Sequence, residues 1–106
     1  MPTDADLVQA VWEKGRGTVD WDTTEWRQDQ CGAWLHRHEY NNDKSEYGWK
    51  IEKTTAGSSE SVENLHPFHC KNAYDITNGK PHCHVAADRA GILPTQTISK
   101  PRNSHL

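Results

Sequence analysis

Six residues in the second half of the chain carry side chains able to bind a metal or move a proton: His66, His69, Cys70, His82, Cys83 and His84. Neutral imidazoles and thiolates are the ligands zinc prefers, and an imidazole in a cleft is a common general base. His82 and His84 share one face if their segment is a strand, whereas His69 falls on a helix if one starts near Pro67. None of the six has the paired spacing of zinc modules, and adjacent His and Cys side chains point in different directions. Buried cysteines and ordinary histidines are therefore favoured over a structural zinc. The weak metal candidates are Glu52, His69, His82 and His84. Trp12, Trp21, Trp26, Trp34 and Trp49 offer a second kind of chemistry, stacking on unpaired bases. No basic stripe is interleaved with them, so packing of a small core is the favoured reading. Arg37, His38, Lys44, Lys50 and Lys53 make a modest basic set of the sort that usually forms a solvated face.

The elements that must position these groups follow from pattern and punctuation. Leu7, Val8, Val11 and Trp12 repeat at helical spacing, Asp4 or Asp6 can cap the helix, and Gly15 follows its end. Trp21 to Arg27 reads as irregular chain with aromatic anchors. Cys31 to Tyr40 suggests a strand, Asn41-Asn42-Asp43 a turn, and Gly48 to Lys53 a second strand, so these two are expected to form a hairpin. Thr54 to Glu60 is a polar loop. A helix is expected from near Pro67 to Asn78-Gly79, since the fixed φ of proline suits a first helical turn. His82 to Ala86 is a candidate last strand, and residues 89–106, with little to bury, read as a tail.

A chain of 106 residues makes one domain. Its 12 Lys+Arg against 15 Asp+Glu give a formal charge of −3, and its mean hydropathy is −0.99. That polarity suggests disorder, but five Trp and three Tyr supply a core. Seven acids against three bases fall within residues 1–30, whereas the stretch from Arg89 onward has three bases and no acid. Such a balance suits a grip on duplex phosphate poorly. Asp20, Asp22, Glu25 and Asp29 are instead candidates for contact with a partner. No apolar run reaches a membrane span, the start lacks the order of a signal peptide, and three cysteines without a CxxC pair make a disulfide framework unexpected.

Four strings, VWEKGR (11–16), WRQDQCGAW (26–34), EYNNDKSEYGWKIEK (39–53) and SSESVENLHPFHCKN (58–72), resemble a subgroup of bacterial and phage HNH endonucleases, the ββα-metal or His-Me finger fold. That subgroup reads VWEKGR, WRxDxCGAW, YGNRxSxYGWEIDH and then GGSDxxxNLQPLxWxNN. The likeness covers about 60 to 75 residues in matching order and spacing. It implies an α+β domain with a small ββα-metal (HNH-like) core over residues 31–88. An acidic N-terminal helix and aromatic extension (1–30) would pack on it, and a C-terminal tail (89–106) would follow.

The chemistry that the resemblance implies needs a His to activate water, an Asn to orient it, and an acid with a further Asn or His to hold one divalent metal. Where the family reads Asp-His this chain reads Glu52-Lys53. Glu52 keeps a carboxylate for a hard cation. Lys53 is a base only where burial and neighbouring cations strip its proton, and Glu52 beside it holds that proton on. The middle Asn is Asn64, read as a loop anchor without its His. The last ligand position is Ala73, which has no donor atom. Asn72 lies one residue earlier, turned away on a helix unless the register shifts. The loop from Glu52 to Asn64 is also about three residues shorter than the family's. His66 and His69, with Asn72, are the replacement candidates.

The resulting expectation is a catalytically inactive HNH-like domain that binds a protein, in its most concrete form a phage or mobile-element inhibitor of a host defence complex of CRISPR-Cas type. It would need no cofactor and act in the cytoplasm of a bacterial host. Two alternatives stay open: a divergent HNH nuclease using Glu52 and Asn64 with Mg²⁺ or Zn²⁺, and a DNA-binding module that does not cleave.

Overall fold

The apolar stripe of Leu7, Val8, Val11 and Trp12 forms α1 (Asp4–Trp12), nine residues long in the computed structural model. A helix so short is marginal alone, so burial holds it. Val8, Val11 and Trp12 join Leu35, Trp49 and Leu65 in the core, with the Trp12 and Trp49 rings 5.2 Å apart. The helix ends where Lys14 and Gly15 donate to the Val11 and Trp12 carbonyls, and Arg27 bonds the Glu13 and Gly15 carbonyls. A side chain at Gly15 would crowd Arg27, since a Cβ there would lie 3.0 Å from that of Arg27. The structure describes residues 4–55, 61–88 and 101–106.

Among the described residues, eight short strands pair as four antiparallel ribbons. Trp26–Gln28 (β1) pairs Trp34–His36 (β2), with Gln28 opposite Trp34. Trp49–Lys53 (β3) pairs Leu65–His69 (β4), with Trp49 opposite His69 and Lys53 opposite Leu65. Ala73–Asp75 (β5) pairs Lys80–His82 (β6), and Ala86–Ala87 (β7) pairs Asn103–Ser104 (β8). One helix and these ribbons make a small α+β domain. The first-third residues Val8, Val11 and Trp12 share its core with residues from the centre of the chain.

Several expectations from the sequence are corrected. Residues 31–40 and 48–53 do not pair as a hairpin. A 3₁₀ turn at Arg37–Glu39 and the left-handed Asn41 (φ 64°) swing the chain round, and only a parallel bridge joins Tyr40 to Trp49. No helix runs from Pro67 to Asn78. Pro67 sits within β4, which a ribbon of two edge strands tolerates because no further strand needs its missing N–H. Asn78-Gly79 instead closes the β5–β6 hairpin. Asp75 accepts from the Asn78 backbone and side chain, and Gly79 takes φ +66°. The strand expected over 82–86 is split, β6 ending at His82 and β7 starting at Ala86. Within the expected tail, Pro101 and Asn103 are buried and Asn103–Ser104 forms β8; residues 89–100 lie outside the described residues.

Cys31 and Cys83 form a disulfide, against the expectation that the cysteines would stay unpaired. An odd count is no obstacle, because Cys70 is left free. Asn103 then ties the end of the chain to the middle. Its side chain accepts from the Trp34 amide and donates to the Trp34 and Glu46 carbonyls.

Candidate functional site

The β3–β4 ribbon brings Glu52, Lys53 and Asn64, three of the positions that the HNH resemblance singles out, to one end, whereas Ala73 lies on β5. Glu52 stands directly opposite His66, and Lys53 opposite Leu65. The Glu52 carboxylate pairs at 3.1 Å with Lys50, two residues before it on the same face. Asn64 closes the 3₁₀ turn Val62–Asn64, its side-chain amide reaching Ser61 Oγ at 3.3 Å while its carbonyl accepts from the Thr54 amide at 2.9 Å. Lys14, from beyond the end of α1, donates to the Val62 and Leu65 carbonyls and so clamps the start of β4. Burial, with the charge of Lys14 as a lesser cause, lowers the His66 pKa from its ordinary value, so the half-buried imidazole is neutral at pH 7.

Asn72 and Asp29 do something else. Both are buried, and the Asn72 amide donates to Asp29 Oδ2 at 3.0 Å and to the Val85 carbonyl at 2.8 Å. Its oxygen accepts from the His84 and Val85 amides at 2.7 and 2.8 Å. Asp29 Oδ1 accepts from the Cys31 and Ala33 amides, and Oδ2 from the His69 amide as well. Three chain segments, 29–33, 69–72 and 84–85, thus meet on two side chains, with the Cys31–Cys83 bond beside them. Sequence reasoning placed Asn72 as a displaced ligand and Asp29 as a partner-binding acid. An Asp two residues before a Cys-Gly turn is an Asx-turn signal that would have placed Asp29 inside.

His69 is also buried, its two ring nitrogens both engaged. Nδ1 accepts from the Lys71 amide at 3.0 Å, so Nε2 carries the proton and donates to the Glu46 carbonyl at 2.8 Å. Burial is the main reason its pKa falls below the ordinary imidazole value. His82 and His84 are exposed, at and beyond the end of β6, and Ala73 faces His82 across the β5–β6 ribbon. Asp20, Asp22 and Glu25 are exposed, Asp22 Oδ1 accepting from the amide and hydroxyl of Thr24.

These donors do not fit the metal that the HNH resemblance implies. Glu52 is taken by Lys50, Ala73 offers nothing, Asn72 spends both amide atoms on backbone and Asp29, and His69 has no free nitrogen. Among the described residues no three His, Cys, Asp or Glu side chains are grouped to hold an ion. Nor, among them, is any helix long and apolar enough to cross a membrane. What β3 and β4 do offer is the Glu52–His66 pair, beside a cavity of about 310 Å³ lined by Lys14, Arg16, Gln28, His66 and Pro67. Comparison of the chain with protein-family models, curated proteins and solved structures finds no match.

Proposed function

We propose that this chain is a catalytically inactive HNH-like domain that acts by binding a protein. On this reading β3, the following loop and β4 correspond to the ββ part of the ββα-metal fold, and the β5–β6 hairpin stands where the family has its helix. The observation that carries the reading is the use of Asn72: the amide nearest the missing ligand position is built into the interior with four hydrogen bonds. Lys53 in place of the general base and the −3 charge point the same way. The specific form is a phage or mobile-element factor that inhibits a host defence complex of CRISPR-Cas type, within a bacterial cytoplasm.

One observation favours a second reading, a divergent nuclease: a neutral, half-buried His66 lies opposite a carboxylate. Supercoiled plasmid incubated with Mg²⁺, Mn²⁺ or Zn²⁺ separates the two. No nicking, and no shift of a DNA duplex in a gel, is expected. Nicking that disappears in Glu52→Ala would overturn the first reading, and a gel shift without nicking would favour a DNA-binding module. The defence form is tested in cells that destroy an incoming plasmid by CRISPR-Cas: expression of the chain is expected to restore transformation, and unchanged interference would remove it.

A further inference from the structure

Lys14 and Arg16 are two of the three bases in an N-terminal third that holds seven acids, and both line the cavity of about 310 Å³ beside β4. That volume lies at the small end of pockets for organic ligands. Each base is fixed from a different direction. Lys14 is anchored on the Val62 and Leu65 carbonyls, which uses two of its three N–H donors. The Arg16 backbone is bridged to that of Gln28 in both directions, at 2.8 and 2.9 Å, and its Nη2 donates to Gln28 Oε1 at 2.9 Å.

The side chains around this cavity offer more donors than acceptors. A guanidinium can only donate, so the Gln28 atom that meets it is the oxygen, and the NH₂ group is left over. Gln28 is 8% exposed, and this NH₂ has no partner among the described residues while keeping some accessible surface. A buried amide donor left open in a cavity wall calls for an acceptor from outside the chain. His66 likewise has no partner on either ring nitrogen among the described residues, and Lys14 is the charge that acts on it. The acid in the lining, Asp29, already accepts four hydrogen bonds, from the Cys31, Ala33 and His69 amides and the Asn72 side chain. Glu52, across the ribbon from His66, is paired with Lys50. Burial lowers the Lys14 pKa, against the pull of the exposed Glu63, so this ammonium has lost water that an anion can replace.

We propose that this cavity binds the phosphate monoester group of a small molecule of sugar-phosphate size. The dianion meets the two cations, and its three terminal oxygens accept from the third Lys14 N–H, the remaining Arg16 N–H groups, Gln28 Nε2 and the His66 ring. A carboxylate carries a single charge that the Arg16 fork alone would satisfy, and a phosphodiester has one charge and two free oxygens. The donor set therefore matches a monoester best. This goes beyond the protein-binding reading above and does not depend on it.

The test is calorimetric titration of ribose 5-phosphate into the full chain, with inorganic phosphate, dimethyl phosphate and a 5′-phosphorylated oligonucleotide as further probes. Ribose 5-phosphate is expected to bind with a dissociation constant below about 1 mM. It should also raise the pH at which the His66 ring titrates, read from its NMR resonances. Dimethyl phosphate should bind about tenfold more weakly or worse. Gln28→Glu keeps the acceptor for Arg16 and turns the open donor into a second carboxylate oxygen, so it should abolish binding. Arg16→Gln, at an exposed position, should weaken binding about tenfold or more and keeps the test valid if Gln28→Glu does not fold. No binding of ribose 5-phosphate, equal binding of the diester, or full binding by the Arg16→Gln chain overturns the site. So does tighter binding of the oligonucleotide than of ribose 5-phosphate, which would make the ligand a strand end. None of these results bears on the inactive-domain reading, which plasmid nicking dependent on Glu52 would remove by itself.

Discussion

Asn72 and Glu52 are both polar residues at or beside positions to which the HNH resemblance would give a metal, and the fold treats them in opposite ways. Asn72 is 1% exposed and joins the Asp29 turn to the segment before β7 through four hydrogen bonds. Glu52 lies on β3 with its side chain 25% exposed and makes an ion pair with a neighbour on its own strand. A buried amide with every atom satisfied stabilises the interior and cannot leave it. A carboxylate at the edge of solvent, paired only with a cation on its own strand, costs the fold little to keep or lose. The contrast teaches that residue type at an aligned position says little until its partners are counted.

The contrast can be sharpened first at the disulfide beside Asn72. Cys31→Ser with Cys83→Ser opens a loop closed across 52 positions, and a loss of about 4 kcal/mol is expected from chain entropy alone. Urea unfolding of the two forms measures it; a change below about 1 kcal/mol would show that Asp29 and Asn72 hold these segments unaided. Asn72→Ala comes next. It strands the Val85 carbonyl and two amides in the interior, and about 3 kcal/mol is expected from the same assay.

A smaller effect is expected from pH. Burial, chiefly, lowers the His69 pKa from 6.5, and that of His66 likewise. The unfolded chain then binds more protons than the folded one between the lowered values and 6.5. Stability therefore falls as pH drops through that window and is flat above it. Comparing unfolding midpoints near pH 7.5 and near pH 5.5 tests this, with His69→Gln expected to reduce the difference. The smallest change belongs to Glu52→Gln, which should shift stability by no more than about 0.5 kcal/mol; a larger loss would mean that Glu52 does structural work like that of Asn72.

What was legible in the sequence was local. The stripe Leu7, Val8, Val11 and Trp12 announced α1, and the alternation of Trp49 and Ile51 with Lys50 and Glu52 announced β3, because both patterns are set by immediate neighbours. The partner of β3 was not legible. Antiparallel pairing is decided across an intervening loop, and Pro67 carries the same fixed φ into a strand as into a helix. The Asn103 anchor, bonded to Trp34 across 69 positions, leaves no periodic trace at all. At the candidate site, Lys53 and Ala73 could be read directly as residues unlike those that the HNH resemblance calls for. The burial of His69 and Asn72 could not be read, since polar residues look alike until the chain closes over them, and that of Asp29 left only its Asx-turn signal.

Three cysteines allow three ways of forming one bond, and only Cys31 with Cys83 is joined. Cys70 stands between them in the chain, so proximity in sequence favours the wrong partners. Two features of the fold discriminate. The Asp29–Asn72 contact brings the correct pair alongside each other, and burial, the main cause, raises the Cys70 pKa, keeping that thiol in its unreactive protonated form. Oxidation is thus proofread by prior folding: a chain oxidised before Asp29 and Asn72 meet would accumulate Cys70-linked isomers, and the yield of correct bond would measure the order of events during maturation.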